Sequence, residues 1–333
     1  MSGIITLCSA VGLSGCFESA MPPPGSYSEV VVVTEDGRKG YLAGDVERHL
    51  TRTLNYYVDA DQQFRIRHIN ASELPTASLD KNVVICGVAD PTSLIGQQIA
   101  DLLGEDAVAR TREGQSNLFA KENYPGPGQF TLVVTAGTDS DLREVLDVRG
   151  EEMPDLIERS CRKRLRAYLM KNKRSKLSRR LYQTYGFHIE VPVFYRLLRE
   201  EMNPAGIEII RDGPVRLLGI FWLDWETQPT LKDAKKLYDA RRDYVWQRYN
   251  GDEMDSTRTT FSLTKLGDNV AIKMEGYWSN SRSVAGGYYE TYFMFREGDR
   301  LLWAVDVLVF APGLPKHILF RELNAVAETF RFD

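Results

Sequence analysis

The chain has 333 residues, 43% of them hydrophobic and 26% charged, a balance that supports a folded core and excludes a disordered polar chain. Its 42 Lys and Arg against 46 Asp and Glu leave a formal charge of −4, so nothing global argues for a nucleic-acid partner. After the first residues no segment is apolar for the roughly 20 residues that a membrane-spanning helix needs.

The run from Ile4 to Leu13 is apolar or small apart from Thr6 and Ser9, too short to span a bilayer but suited to the core of an export signal. It ends in Leu13-Ser14-Gly15-Cys16, which resembles the bacterial lipobox. Ser14 and Gly15 let an extended backbone enter a peptidase cleft, and the Cys16 thiol is the nucleophile that receives diacylglycerol. No Lys or Arg precedes the run, so either the amino terminus supplies the charge or the true start lies upstream. The expectation is a signal peptide over 1–15 and a tether over 16–28, stiffened by Pro22-Pro23-Pro24. Of the four cysteines Cys8 lies in the expected signal peptide; Cys86 in a strand-like run and Cys161 in a helical pattern read as small buried hydrophobes, and their spacing leaves a disulfide open.

In the body, Glu29 to Thr34 is β-branched and predicts a strand, followed by a helix from about Gly44 to Tyr57 with Val46, Leu50, Leu54 and Tyr57 inward. Phe64 to Ile69 alternates like a half-exposed strand. Val83 to Val88 is a more apolar one, and Pro91-Thr92 opens a helix. Arg110 to Gly128 reads as a polar loop. Phe130 to Thr135 is a third apolar strand, and Thr138 or Asp139 caps the helix after it. A helical region from Pro154 to Tyr185, with a break near Asn172, concentrates the chain's basic residues, from Arg159 to Arg180. Such a run is a solvated face, a contact for anionic headgroups or envelope polyanions, or a nucleic-acid surface; no interleaved aromatic platform supports the last.

Beyond Gly186, Phe187 to Tyr195 is extended, Val215 to Trp225 is a core strand, and Thr230 with Asp233 starts a helix that runs to Tyr249. Within that helix Arg241, Arg242 and Asp243 are expected to pair locally. Two hairpins follow, turning at Gly267-Asp268 and at Glu297-Gly298-Asp299, then a last helix from Pro315. The predicted class is α+β: a mixed N-terminal sheet with helices over 29–185, then a mainly antiparallel sheet covered by helices over 186–333.

Chemistry-bearing residues are sparse. The four histidines, at 49, 68, 188 and 317, show no metal spacing, so neither metal nor cofactor is expected. Asp224 and Glu226 flank Trp225 and, two apart on a strand, share a face, which makes them the candidate acid pair of a glycan or peptide hydrolase. The stretch from Glu275 to Tyr289 combines aromatics, an amide, an arginine and glycines. Read as a loop, it offers Trp278, Asn280, Arg282, Gly286, Gly287 and Tyr288 as a binding surface, or as close backbone packing at the glycine pair.

Together with the lipobox, Ile189-Glu190-Val191-Pro192, Arg241-Arg242-Asp243, Gly276-Tyr277-Trp278, Ala285-Gly286-Gly287 and Arg321-Glu322-Leu323-Asn324-Ala325 resemble an uncharacterised lipoprotein family, mainly of Bacteroidota and relatives, that carries a domain of unknown function. The resemblance extends over nearly all of the chain after Cys16. It departs at Ala285, where a bulkier residue is usual, and at Asn324. It implies export and lipidation, and brings no substrate or catalytic residue. The reading is a lipid-anchored protein on the periplasmic or extracellular face of a bacterial envelope, more binding protein than enzyme. Its partners are membrane lipid through Cys16 and an envelope protein or polyanion. A hydrolase using Asp224 and Glu226 and a purely structural protein are the alternatives.

Overall fold

In a computed structural model the structure describes residues 27–332 apart from 57, 58, 80, 116, 125 and 250; the expected signal peptide, Cys16 and the expected tether up to residue 26 lie outside the described residues. The first half is built on β1 (Glu29–Thr34), α1 (Tyr41–Leu50), β2 (Thr53–Tyr56), β3 (Asp59–Gln62), β4 (Arg65–Asn70), β5 (Asn82–Val88), α2 (Leu94–Leu103), α3 (Glu105–Arg112), β6 (Leu118–Glu122), β7 (Phe130–Ala136) and α4 (Asp139–Arg149). Four strands are parallel in the order β4-β1-β5-β7, and β6 closes the edge antiparallel. The near-continuous Val, Ile and Leu of β1, β5 and β7 reflect burial on both faces, as parallel strands require.

Two expectations change here. The helix predicted to reach Tyr57 stops at Leu50, and the chain turns into the β2–β3 hairpin. Arg52 is drawn across to Asp155 (2.5 Å) and the Glu151 carbonyl (2.7 Å), and Thr53 favours extended backbone. The supposed loop 110–128 contains the end of α3 and the edge strand β6, whose half-exposed side chains give no strong alternation. Thr138 is the cap expected before α4, its hydroxyl accepting from the Asp141 N–H.

The basic helical region is broken near Asn172 into α5 (Glu152–Leu169) and α6 (Ser175–Tyr185), with Gly186 in the left-handed conformation after α6. The second half follows: β8 (Phe187–His188), β9 (Arg196–Met202), β10 (Ala205–Arg211), β11 (Val215–Asp224), α7 (Ala234–Arg248), β12 (Glu253–Met254), β13 (Thr260–Leu266), β14 (Asn269–Asn280), β15 (Ala285–Arg296), β16 (Leu301–Phe310), α8 (His317–Ala327) and β17 (Arg331–Phe332). An antiparallel sheet runs β12-β14-β15-β16-β11-β10-β9, with β13 also on β14. The mixed first sheet and the antiparallel second sheet, each with helices, are the architecture that the hydrophobic patterning implies.

Period-two alternation sorts the second sheet's side chains into two layers. On β16, Trp303, Val305, Val307 and Val309 enter a core shared with α8, α5 and one face of the first sheet. Leu302, Ala304 and Leu308 enter a separate core beneath α7. A third core lies on the other face of the first sheet, under α2 and α3. Cys86 and Cys161 are free and buried, and burial pushes their thiols up to about 12 and about 11. They are the small hydrophobes that the patterning implied, not a disulfide.

Candidate functional site: the face of the second sheet under α7

Helix α7 continues a 3-10 turn (Leu231–Asp233) that the capping box at Thr230 and Asp233 starts, and Leu237, Tyr244 and Val245 lay it on the sheet. Arg241, at its centre, is fully buried. It does not pair with its helical neighbours: Arg242 takes Asp239 and Asp243, whereas Arg241 grips Asp306 of β16 with two bonds, Nε to Oδ1 at 2.7 Å and Nη2 to Oδ2 at 3.1 Å. Thr291 donates to the same carboxylate (2.6 Å), and the Tyr289 ring lies 3.5 Å under the guanidinium carbon. Asp306 alternates with the valines of β16, so period-two geometry delivers its charge to the α7 face.

This layer is polar but incompletely paired. Among the described residues, Arg241 Nη1, the Tyr244 and Tyr249 hydroxyls, Trp278 Nε1, Glu208 Oε1 and Arg248 Nε make no hydrogen bond. Burial raises the pKa of Glu208 and lifts the Tyr249 phenol well above its ordinary value. Gly219 is required beside Tyr249, because a Cβ there would stand 2.5 Å from the hydroxyl.

Towards the sheet's edge, Asp252 and Asn280 form a buried pair, Nδ2 to Oδ1 at 2.6 Å. Desolvation raises Asp252 from 3.8 to about 6, against the opposing pull of the Asn280 hydrogen bond and the Arg241 charge. Asn280 Oδ1 also accepts from the N–H groups of Arg282 and Ser283, both at 3.0 Å, and so fixes the turn. The segment read as a loop is therefore mostly hairpin. Trp278 faces Gly287, Ser279 faces Gly286, Asn280 faces Ala285, and only residues 281–284 turn.

The sequence-chosen residues divide accordingly. Trp278 is buried, and a Cβ at Gly287 would stand 2.8 Å from its indole nitrogen, so this glycine serves close packing. Tyr288 packs with Tyr277 and Phe320. Arg282 is exposed, 6.0 Å from the ring of Trp246 on α7. Trp246 is 51% exposed and Val284, in the turn, 94%. Sequence reading passed over Trp246; the available signal was a Trp at a helical position that faces away from Leu237 and Val245. Asp224 and Glu226 stand exposed at the end of β11, and neither lines a described cavity. Much of the basic run is used within the fold: Arg162 and Arg166 by Glu328, Lys163 by Glu122, Lys173 by Glu190, Arg180 by Glu200, and buried Arg164 by the carbonyls of Lys81 and Gly128. Among the described residues no group of three His, Cys, Asp or Glu is placed to hold a metal ion, and no helix is long and apolar enough to cross a membrane.

Fold and site thus define a mixed α/β chain whose antiparallel half is a sheet held between α7 and α8. Residues 174–329 match the family described as "Domain of unknown function (DUF4837)". The body motifs that carried the resemblance lie inside this match; the lipobox lies before it, so the match spans a little under half of the chain rather than nearly all of the part after Cys16. No curated protein matches the chain. Among solved structures it is similar to LpqN of Mycobacterium tuberculosis, described as involved in cell envelope biogenesis, at 17% identity over 43% of this chain and 81% of that one, with a TM-score of 0.29.

Proposed function

We propose that this chain is a bacterial envelope protein tethered by lipid on Cys16, and that its body binds another envelope protein through the surface formed by Trp246, Arg282 and Val284. The anchor rests on Leu13-Ser14-Gly15-Cys16 and the proline-rich stretch after it. The observation that carries the binding reading is Trp246, half exposed on a helix whose other face is packed, with a cation beside its ring. Trp and Arg dominate the energetics of protein contacts because each buries much area and still offers a directed polar group. Asn280 holds the 281–284 turn without entering the contact, and Trp278, Gly286, Gly287 and Tyr288 supply the rigid hairpin under it.

Two measurements test the two parts separately. Cells fed a labelled lipid precursor should mark the native protein and leave Cys16→Ala unmarked; equal labelling of both removes the anchor. A photo-crosslinker placed at Val284 in the native envelope should trap a partner, and Trp246→Ala and Arg282→Ala should each abolish the adduct. An adduct that survives both substitutions removes this surface.

A further inference from the structure

β13 is the last strand on one side of the second sheet, and its outer edge is open. Gly267-Asp268 is a two-residue turn, so Leu266 and Asn269 form a hydrogen-bonded pair, and Thr264, Ser262 and Thr260 repeat that pairing with Ala271, Lys273 and Glu275 of β14. Phe261, Leu263 and Lys265 alternate with them and turn their backbone N–H and C=O groups away from β14, where no strand of the described residues meets them. The 3-10 turn before α7 lies beside β13 without a backbone hydrogen bond to it.

Other edges of the two large sheets carry charges that discourage pairing: Arg65, Arg67 and His68 on β4, Lys121 and Glu122 on β6, and Arg196, Arg199, Glu200 and Glu201 on β9. β13 reads Thr-Phe-Ser-Leu-Thr-Lys-Leu, strand-forming residues with Lys265 as the lone charge. Leu263, at its centre, is 69% exposed, and Val270, diagonal to it on β14, is 54% exposed. Leu263 lies opposite Ile272 and Phe261 opposite Met274, both of the core under α7, so Leu263 carries that apolar face to the margin of the sheet.

The order of residues along this edge is self-complementary. Set antiparallel about a two-fold axis at Leu263, two copies bring Leu263 opposite Leu263, Phe261 opposite Lys265 and Ser262 opposite Thr264. The outward N–H and C=O groups at 261, 263 and 265 then all find partners, each facing pair exchanging two bonds. A slip by two residues would leave Phe261 or Lys265 of each copy without a strand partner. Charge is matched as well, because each Lys265 meets an aromatic ring of the other copy and not its own like.

We propose that β13 pairs antiparallel with β13 of a second copy of this chain, centred on Leu263, so that two second sheets become one continuous sheet. The contact uses neither Cys16 nor the Trp246 surface. One strand edge buries less than the roughly 800 Å² per partner of a standard interface, so the dimer should be weak, with a Kd on the order of 10 μM. Sedimentation velocity tests it on the full chain with Cys8→Ala and Cys16→Ala, which keeps lipid from bringing copies together. Between about 1 and 300 μM the mass should rise from one chain to two. Leu263→Lys sets like charges opposite one another across the axis and should weaken dimerisation roughly tenfold, whereas Trp246→Ala should leave it unchanged. Register is read by oxidation with copper phenanthroline, in which the buried Cys86 and Cys161 take no part. Leu263→Cys should give a disulfide-linked dimer, since facing Cα atoms of a hydrogen-bonded pair stand about 5.5 Å apart. Lys265→Cys should not, because its two copies would lie about 13 Å apart along the strands. Circular dichroism confirms that Leu263→Lys is folded; if it is not, the crosslinks decide. A single-chain mass at every concentration would overturn the proposal. So would undiminished dimerisation in folded Leu263→Lys, or equal crosslinking at the two introduced thiols.

Discussion

The two faces of the second sheet bury carboxylates in opposite styles. Under α8, Glu322 accepts from Arg216 (2.8 Å), Arg211 (2.7 Å) and Tyr195 (2.8 Å), and α5 and the first sheet close over the layer. Under α7, Asp306 has one arginine and one threonine, and a single helix forms the roof. A charge surrounded by several donors is fixed as core. A charge held by one arginine and one threonine leaves a layer that can be repacked, and on this sheet that layer lies beneath the exposed Trp246.

The largest expected effect is on the buried pairs. Arg241→Met leaves Asp306 uncompensated and should cost about 3–5 kcal/mol in urea denaturation, whereas Arg241→Met with Asp306→Leu should recover most of it. The parallel exchange on the other face, Arg216→Met with Glu322→Leu, should recover less, because Arg211 and Tyr195 both lose the carboxylate they donate to. Equal recovery on both faces would erase the distinction. Next comes Gly219→Ala, expected to cost about 1–3 kcal/mol by overpacking against the Tyr249 hydroxyl. Tyr249→Phe should offset much of that cost, since it removes both the clash and an unsatisfied donor.

Asp252 supplies a pH test. Its folded pKa, about 6, lies above the ordinary 3.8, so the folded chain binds the proton more tightly. The stabilisation from this group is complete below pH 3.8 and is lost as pH rises through 6. The difference in unfolding free energy between the native chain and Asp252→Asn should change across that window and be flat above it. The smallest effect is on the surface: Trp246→Ala and Arg282→Ala should each shift stability by no more than about 0.5 kcal/mol.

Much of this fold was written in local pattern. The apolar runs of β1, β5, β7 and β16, the box at Thr230 and Asp233, and the turn at Gly267-Asp268 each announce themselves within a few residues. The β9–β10 hairpin did not, because Arg196, Arg199, Glu200 and Glu201 on an edge strand break the apolar alternation that marks a strand. The stretch around Trp278 read as a loop because glycines and polar residues fill positions that only a neighbouring strand explains. The α7 layer was the least legible part. Arg241 and Asp306 are separated by 65 residues, and only strand register and helix phase bring them together. Trp246 becomes a surface feature only when the inward side of α7 is known.

The carboxylate of Asp61 has one further consequence. It receives the N–H groups of Lys316 and His317 from a strand more than 250 residues away, and so supplies the start of α8 with the cap that its own sequence lacks. A fragment trimmed to the matched span, 174–329, would carry the last helix but not the acid that finishes its first turn. That fragment should show faster amide exchange at the start of α8 than the full chain does. Chains made for binding work should therefore begin before Tyr27 instead of at the family boundary.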